Sequence, residues 1–145
     1  MNMPRFWRRG SFSVVETADL VGVTAETLRT WLARAPLPDF LGVKTAGRIW
    51  LSGLDAFYYS LVRELTAYGV PVRTAMLAAA THANDCDDRL PREEYLVVRI
   101  DGDSINFRLT NLRPDDDRPA LVLPIRAIAA QLIDRAAAVY VEEVA

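Results

Sequence analysis

The sequence predicts an α+β fold, with four helices and one short β-hairpin in the N-terminal half and a β-hairpin, strand and helix behind them. Three observations predict it. Apolar residues recur at helical spacing through most of 12–81, broken once by two short extended runs around Thr45-Ala46-Gly47. Period-two alternation takes over at Leu96, Val98 and Ile100 and again at Ile105, Phe107 and Leu109. Between these regions lies ANDCDDRLPREE, polar, acidic and interrupted by Pro91. The expected organisation is a basic-aromatic arm over 1–11, a helical domain over 12–81, an acidic linker over 82–94 and a small α+β module over 95–145.

Composition narrows the function classes. The hydrophobic share is 51%, enough for a sizeable core. No apolar run approaches the roughly 18 residues that span a bilayer, and MNMPRFWRRG has neither the apolar stretch nor the cleavage site of a signal peptide. The expected compartment is the cytoplasm, with no membrane partner. One cysteine, Cys86, and one histidine, His82, leave no disulfide framework and too few ligands for a zinc site. The net charge is −2, but residues 1–80 carry a balance of +3 and residues 81–145 a balance of −5. A basic front and an acidic back suit a nucleic-acid-binding part joined to one that does not touch nucleic acid.

The arm contains Arg5-Phe6-Trp7-Arg8-Arg9, cations interleaved with aromatics. Phe6 and Trp7 are expected to pack on the domain, leaving Arg8 and Arg9 for phosphate contact. Phe12 to Ala33 then gives two short amphipathic helices joined at Val21-Gly22-Val23. Ser13 and Glu16 form a capping box at the first helix start. Thr24 caps the second helix, and Glu26 complements its dipole. Ala18 is small where the helices cross, Gly22 supplies a turn position at which positive φ costs little, and Leu28 and Trp31 close the core beneath. Caps, turn and spacing together are those of a helix-turn-helix.

Pro36 and Pro38 stop the second helix near Arg34. Phe40 to Lys44 and Arg48 to Leu51 then form a hairpin around Thr45-Ala46-Gly47, a wing with Lys44 and Arg48 available to phosphates. A third helix starts at Ser52, where Asp55 completes a second capping box, and Leu54, Phe57, Tyr58, Leu61, Val62 and Leu65 give it a broad apolar face. The three adjacent aromatics from Phe57 to Tyr59 are expected in the core. Gly69 ends the helix, and Pro71 opens a fourth with Val72, Ala75, Met76 and Ala79 inward.

The series Phe12…Glu16-Thr17-Ala18…Gly22-Val23-Thr24…Thr27-Leu28-Arg29, then Leu37-Pro38, Gly47-Arg48-Ile49-Trp50-Leu51-Ser52 and Leu65…Gly69-Val70 resembles the MerR-type winged helix-turn-helix. The resemblance covers residues 11–79. It implies a second helix in the major groove and a wing on the flanking backbone, with Thr27 and Arg29 as helix contacts and Arg48 as the wing contact. Thr30-Trp31 stands where family members often carry two aromatics, and Pro71 where they place a polar cap. The long dimerising helix that follows this domain in MerR regulators has no counterpart here.

In the C-terminal module a Gly102-Asp103 loop would pair Ile100 with Ile105, Val98 with Phe107 and Leu96 with Leu109; an Asp101-Gly102 loop would shift these pairs by two. Either register buries the same face. Asp101 and Asp103 fit turn preference better than calcium, and Asp115-Asp116-Asp117 a solvated loop better than a metal site. Ala120 to Leu123 adds a strand. Pro124 opens a helix with Ile125, Ile128, Leu132 and Val139 at near-heptad spacing and Ala129 and Ala136 on the same stripe. Such a module is marginal alone and is expected to dock or self-associate.

No catalytic constellation can be assembled from these residues, so the sequence predicts no enzyme and no cofactor. The expected function is a DNA-binding transcriptional regulator acting as a homodimer through the C-terminal module. Thr24, Thr27, Arg29, Thr30, Arg34, Lys44, Arg48, Arg8 and Arg9 are the candidate contacts to double-stranded DNA. One alternative is a phage-type excisionase or small terminase-like factor, since such proteins also join MerR-like winged domains to unrelated tails. The other is a protein-interaction adaptor whose partner meets the acidic half.

Overall fold

The computed structural model describes residues 2–140. It is α+β, with five α-helices and two small antiparallel sheets. In order come a 3-10 turn at Arg5–Trp7, α1 (Val14–Val21), α2 (Ala25–Arg34), β1 (Val43–Thr45), β2 (Arg48–Trp50), α3 (Gly53–Ala67), α4 (Val72–Asn84), β3 (Tyr95–Asp101), β4 (Ser104–Thr110), β5 (Leu121–Leu123) and α5 (Ile125–Val139). The tail expected to complete the C-terminal module, residues 141–145, lies outside the described residues.

Helix α3 is the centre. Ala56 to Val62 form an unbroken buried run, joined by Gly53 and Leu65. Its burial is wider than the apolar face read from the sequence: Leu54 is only half-buried, while Tyr59 and Ser60 go inside. The polar groups among them are satisfied. Ser60 Oγ donates to Ala56 O at 2.8 Å, and Tyr59 OH donates to Phe40 O at 2.9 Å. A helix apolar on nearly every side is stable only inside, and α1, α4, α5 and the N-terminal turn surround it.

Both expected capping boxes form. Ser13 Oγ accepts from Glu16 N–H while Glu16 accepts from Ser13 N–H; Ser52 and Asp55 do the same at α3. Gly22 has φ +88 and its N–H donates to Ala18 O, so the α1–α2 turn closes as the spacing predicts. The fourth helix departs at its start: Val72 is 43% exposed, while Ala75, Met76 and Ala79 are inward as expected. It also runs on to Asn84, through the start of the expected linker, because Ala80, His82 and Ala83 still pack.

The first hairpin is shorter than predicted. Phe40 has φ +64 and Gly42 φ +75, which breaks the extended run before Val43. Stacking of the Phe40 ring on Tyr58, with centroids 4.4 Å apart, holds that conformation. Ala46 and Gly47, both at positive φ, then make a two-residue turn with Thr45 paired to Arg48.

The C-terminal sheet runs β4-β3-β5. Of the two open registers, the Gly102-Asp103 loop is the one found: Ile100 pairs with Ile105, Val98 with Phe107 and Leu96 with Leu109. Gly102 at φ +62 in the first loop position gives a type II′ turn, whose twist matches the strands. The 113–119 loop does not simply lie in solvent. Arg99 takes both carboxylate oxygens of Asp116, at 3.0 and 3.1 Å, and donates to Arg118 O. This folds the loop along the outer face, where Val97 is buried.

The apolar stripe of α5 is used within the chain. Ile125, Ala129, Leu132 and Ala136 are buried, α5 packs on α1 and α3, and one core cluster runs from Phe6 to Ala136. Docking, one of the two expected fates of the module, therefore occupies the stripe that self-association would have needed. The arm joins the same core. Trp7 is fully buried, 5.8 Å from the Phe57 ring, and its Nε1 donates to Cys86 O at 2.7 Å. Phe6 sits 5.3 Å from the Tyr140 ring at the end of α5.

Trp7→Ala should therefore lower the unfolding free energy by about 3–5 kcal/mol, the range for deleting a buried aromatic. Urea denaturation reads it directly; a change under about 0.5 kcal/mol would mean that Trp7 behaves as a surface residue.

Candidate nucleic-acid interface

The candidate contacts sit on three elements. Helix α2 begins at Thr24, whose hydroxyl accepts from Thr27 N–H at 3.1 Å and donates to Thr27 Oγ1 at 2.9 Å. Both threonines are thus engaged at the helix start. Beyond them the helical repeat places Glu26, Arg29, Thr30, Ala33 and Arg34 on one exposed face. The opposite face carries Leu28, fully buried, and Trp31, which stacks on Tyr59 at 6.3 Å. The outward set follows from the inward one: these two anchors fix the rotation of α2 about its axis.

The hairpin β1–β2 separates its two cations. Lys44 pairs with Ile49, and Thr45 with Arg48. Paired residues share a face and successive residues alternate, so Lys44 and Arg48 project from opposite faces. Ile49 packs toward the core, which puts Arg48 on the outward side with Val43. Both cations remain exposed. The base of the hairpin is held where the arm ends: Phe12 N–H donates to Leu51 O at 2.9 Å, and Leu51 N–H to Phe12 O at 2.7 Å.

Arg8 and Arg9 are also exposed, but Arg8 has a partner. Its Nε lies 3.3 Å from Asp87, at the rim of a cleft of about 340 Å³ that also contains Asp39 and Asp55. Three carboxylates at one cleft make its surroundings acidic. Arg29, Arg34, Lys44 and Arg48, by contrast, carry no ion pair among the described residues. In the C-terminal half, several cations are engaged: Arg99 by Asp116, Arg113 over the Tyr95 ring at 5.2 Å, and Arg126 by Pro91 O and Glu94.

Two residues that sequence reasoning missed hold the α1–α2 turn. Arg63 of α3 donates from Nε to Gly22 O at 3.2 Å, and Arg135 of α5 from Nη1 to Leu20 O at 2.8 Å. Cations belong at a helix C-terminus, where carbonyls lack intrahelical partners. Arg63 gave a weak signal as the one cation inside the apolar run of α3. Arg135 gave none, because 115 residues separate it from Leu20.

The groups with altered acidity lie away from this face. Burial lowers the His82 pKa, against the opposing pull of Asp85 and Glu93, and its Nδ1 has no hydrogen-bond partner among the described residues. Burial raises the Cys86 thiol to about 11, so it is protonated and unreactive at neutral pH. Among the described residues no group of three or more His, Cys, Asp or Glu side chains could hold a metal ion, and no helix is long and apolar enough to cross a membrane. Compared with protein-family models and with curated proteins, the chain matches none.

Thr24→Ala should cost about 1 kcal/mol of stability through the lost cap, while Thr30→Ala should stay within about 0.5 kcal/mol; urea midpoints compare them. His82 sets a pH dependence. Its folded pKa lies below the ordinary 6.5, so its contribution to stability is complete above that value. The contribution is lost as pH falls, because the unfolded chain takes up a proton that the fold refuses. The urea midpoint should drop from pH 7 toward about 5.5, and His82→Leu should flatten that drop.

Proposed function

We propose that this chain is a DNA-binding regulator built on a winged helix-turn-helix of the MerR type. In this reading α2 enters the major groove, and the β1–β2 hairpin is the wing on the flanking backbone. One observation carries the reading: Arg29, Thr30 and Arg34 line an exposed face of a short helix behind a tight glycine turn, and neither arginine is paired with a carboxylate among the described residues. Such a face matches phosphate and base-edge acceptors in charge and in donor chemistry. Arg29 is the candidate for a base edge, since it stands nearest the helix start; Arg34, Lys44 and Arg48 are placed for phosphates. Thr24 and Thr27 act mainly as helix-start groups, and Arg8, paired with Asp87 at an acidic rim, is not the lead contact.

The opposite faces of Lys44 and Arg48 suit a wing lying edge-on along the backbone, with one cation toward each side. A single unit of this size reads few base pairs, so a homodimer on two half-sites would supply the remaining affinity. The fold-back of α5 onto α1 and α3, where MerR regulators extend a dimerising helix, also favours the second reading, a phage-type DNA-binding factor. Both share the same DNA-facing residues. Selection of bound sequences from random duplex distinguishes them, because a regulator dimer predicts paired half-sites.

Binding to random duplex should weaken steeply with salt, with a log–log slope near −0.9 for each phosphate neutralised. Arg48→Ala should weaken all sequences alike and reduce the slope by about 1. Arg29→Ala should cost about 1–3 kcal/mol on the preferred site and relax its preference. Fluorescence anisotropy across a salt series measures all three, and the absence of binding at low salt would overturn the reading.

A further inference from the structure

We propose that two copies of this chain associate through the open edge of β4, making one continuous six-stranded antiparallel sheet. This rests on the homodimer of the proposed function and gives it a surface. Strand β4 lies at the end of the β4-β3-β5 sheet, seven residues long and, among the described residues, with no strand on its outer side. A seven-residue edge strand is a template for pairing.

Which groups it offers follows from the turn. In a two-residue hairpin the residues flanking the loop, Asp101 and Ser104, exchange both hydrogen bonds, and such pairs alternate with pairs that do not. Asn106, Arg108 and Thr110 therefore turn their backbone groups toward β3. Ile105, Phe107 and Leu109 turn theirs outward, three N–H and three C=O groups in a row.

This row is self-complementary. Placing a two-fold axis at Phe107 sets Phe107 against its own copy and Ile105 against Leu109 of the second copy, so all six groups on each strand find partners in an isologous contact. The same register joins Ile105, Phe107 and Leu109 of both copies into one apolar face, where each is only half-buried in a single chain. On the other face Asn106 meets Arg108 of the second copy, so no like charges stand directly opposite; the two Arg108 residues are diagonal on a solvated face. An edge pair of this length is a small interface, which implies association in the micromolar class.

Sedimentation equilibrium and amide exchange on the full chain test it together. The expected result is a monomer–dimer equilibrium in which the Ile105, Phe107 and Leu109 amides gain protection as concentration rises. Asn106→Glu, facing Arg108 of the second copy twice, should tighten the dimer by about three- to tenfold, and Asn106→Arg should loosen it similarly. Asn106 is exposed and its neighbour Arg99 is already neutralised by Asp116, so melting of the dilute monomer should change little. A chain that stays monomeric to millimolar concentration overturns the proposal. So does a dimer in which these three amides exchange at the same rate at every concentration, or in which both variants shift the constant in the same direction. A monomer that still binds DNA overturns this interface and leaves the DNA-binding reading standing.

Discussion

Burial of α3 on nearly every side is the constraint on which the other elements depend. Its run from Ala56 to Val62 can exist in water only if other elements cover it. At roughly 1.5–3 kcal/mol for each large apolar side chain taken from water, Phe57, Leu61, Val62 and Leu65 alone outweigh any single capping or charge interaction in the chain. α1, α4, α5 and Trp7 take the four approaches to this helix. α2 sits further out, tied through α1, through Leu28 beneath it, and through the stack of Trp31 on Tyr59. A helix held by so few anchors leaves its far face exposed.

The C-terminal half belongs to that platform. Arg135 reaches the last carbonyls of α1 from α5, Arg63 does so from α3, and the Tyr140 ring meets Phe6 and Phe12. The geometry of the α1–α2 turn is thus set partly by a residue more than one hundred positions away. This gives a physical role to a module whose acidity alone suggested separation from the rest. Within it, Asp116 is held below the usual carboxylate range by the Arg99 guanidinium, while Arg126 reaches out to Pro91 and Glu94.

The local signals were legible because they act over a few residues. Both capping boxes, the Thr24 cap, the Gly22 turn, the Gly69 and Pro36 stops and the alternation of β4 each follow from contacts within about one helical turn or one strand pair, whereas β3 buries Leu96, Val97 and Val98 in a row and leaves Ile100 exposed. The limits of the first hairpin were not legible, because Phe40 leaves the extended region for a stack on Tyr58, eighteen residues on, and no local preference of phenylalanine favours that. Nor was the rank of the cations. Lys44 and Arg48 look equivalent as two positive charges around a turn, and only the pairing of Thr45 with Arg48 puts them on opposite faces. Arg8 and Arg9 look equivalent as neighbours, and only the return of α4 brings Asp87 against Arg8.

The sequence by itself therefore determined the element types, their caps and turns, the outward face of α2 and the pair of hairpin registers, since each rests on the period of the backbone and on nearest-neighbour chemistry. The tertiary structure alone decided which register forms, that the arm and α5 complete one core around α3, and which cations pair with carboxylates among the described residues. Those outcomes depend on what meets across the fold, and residues far apart in the chain meet only when apolar burial brings them together.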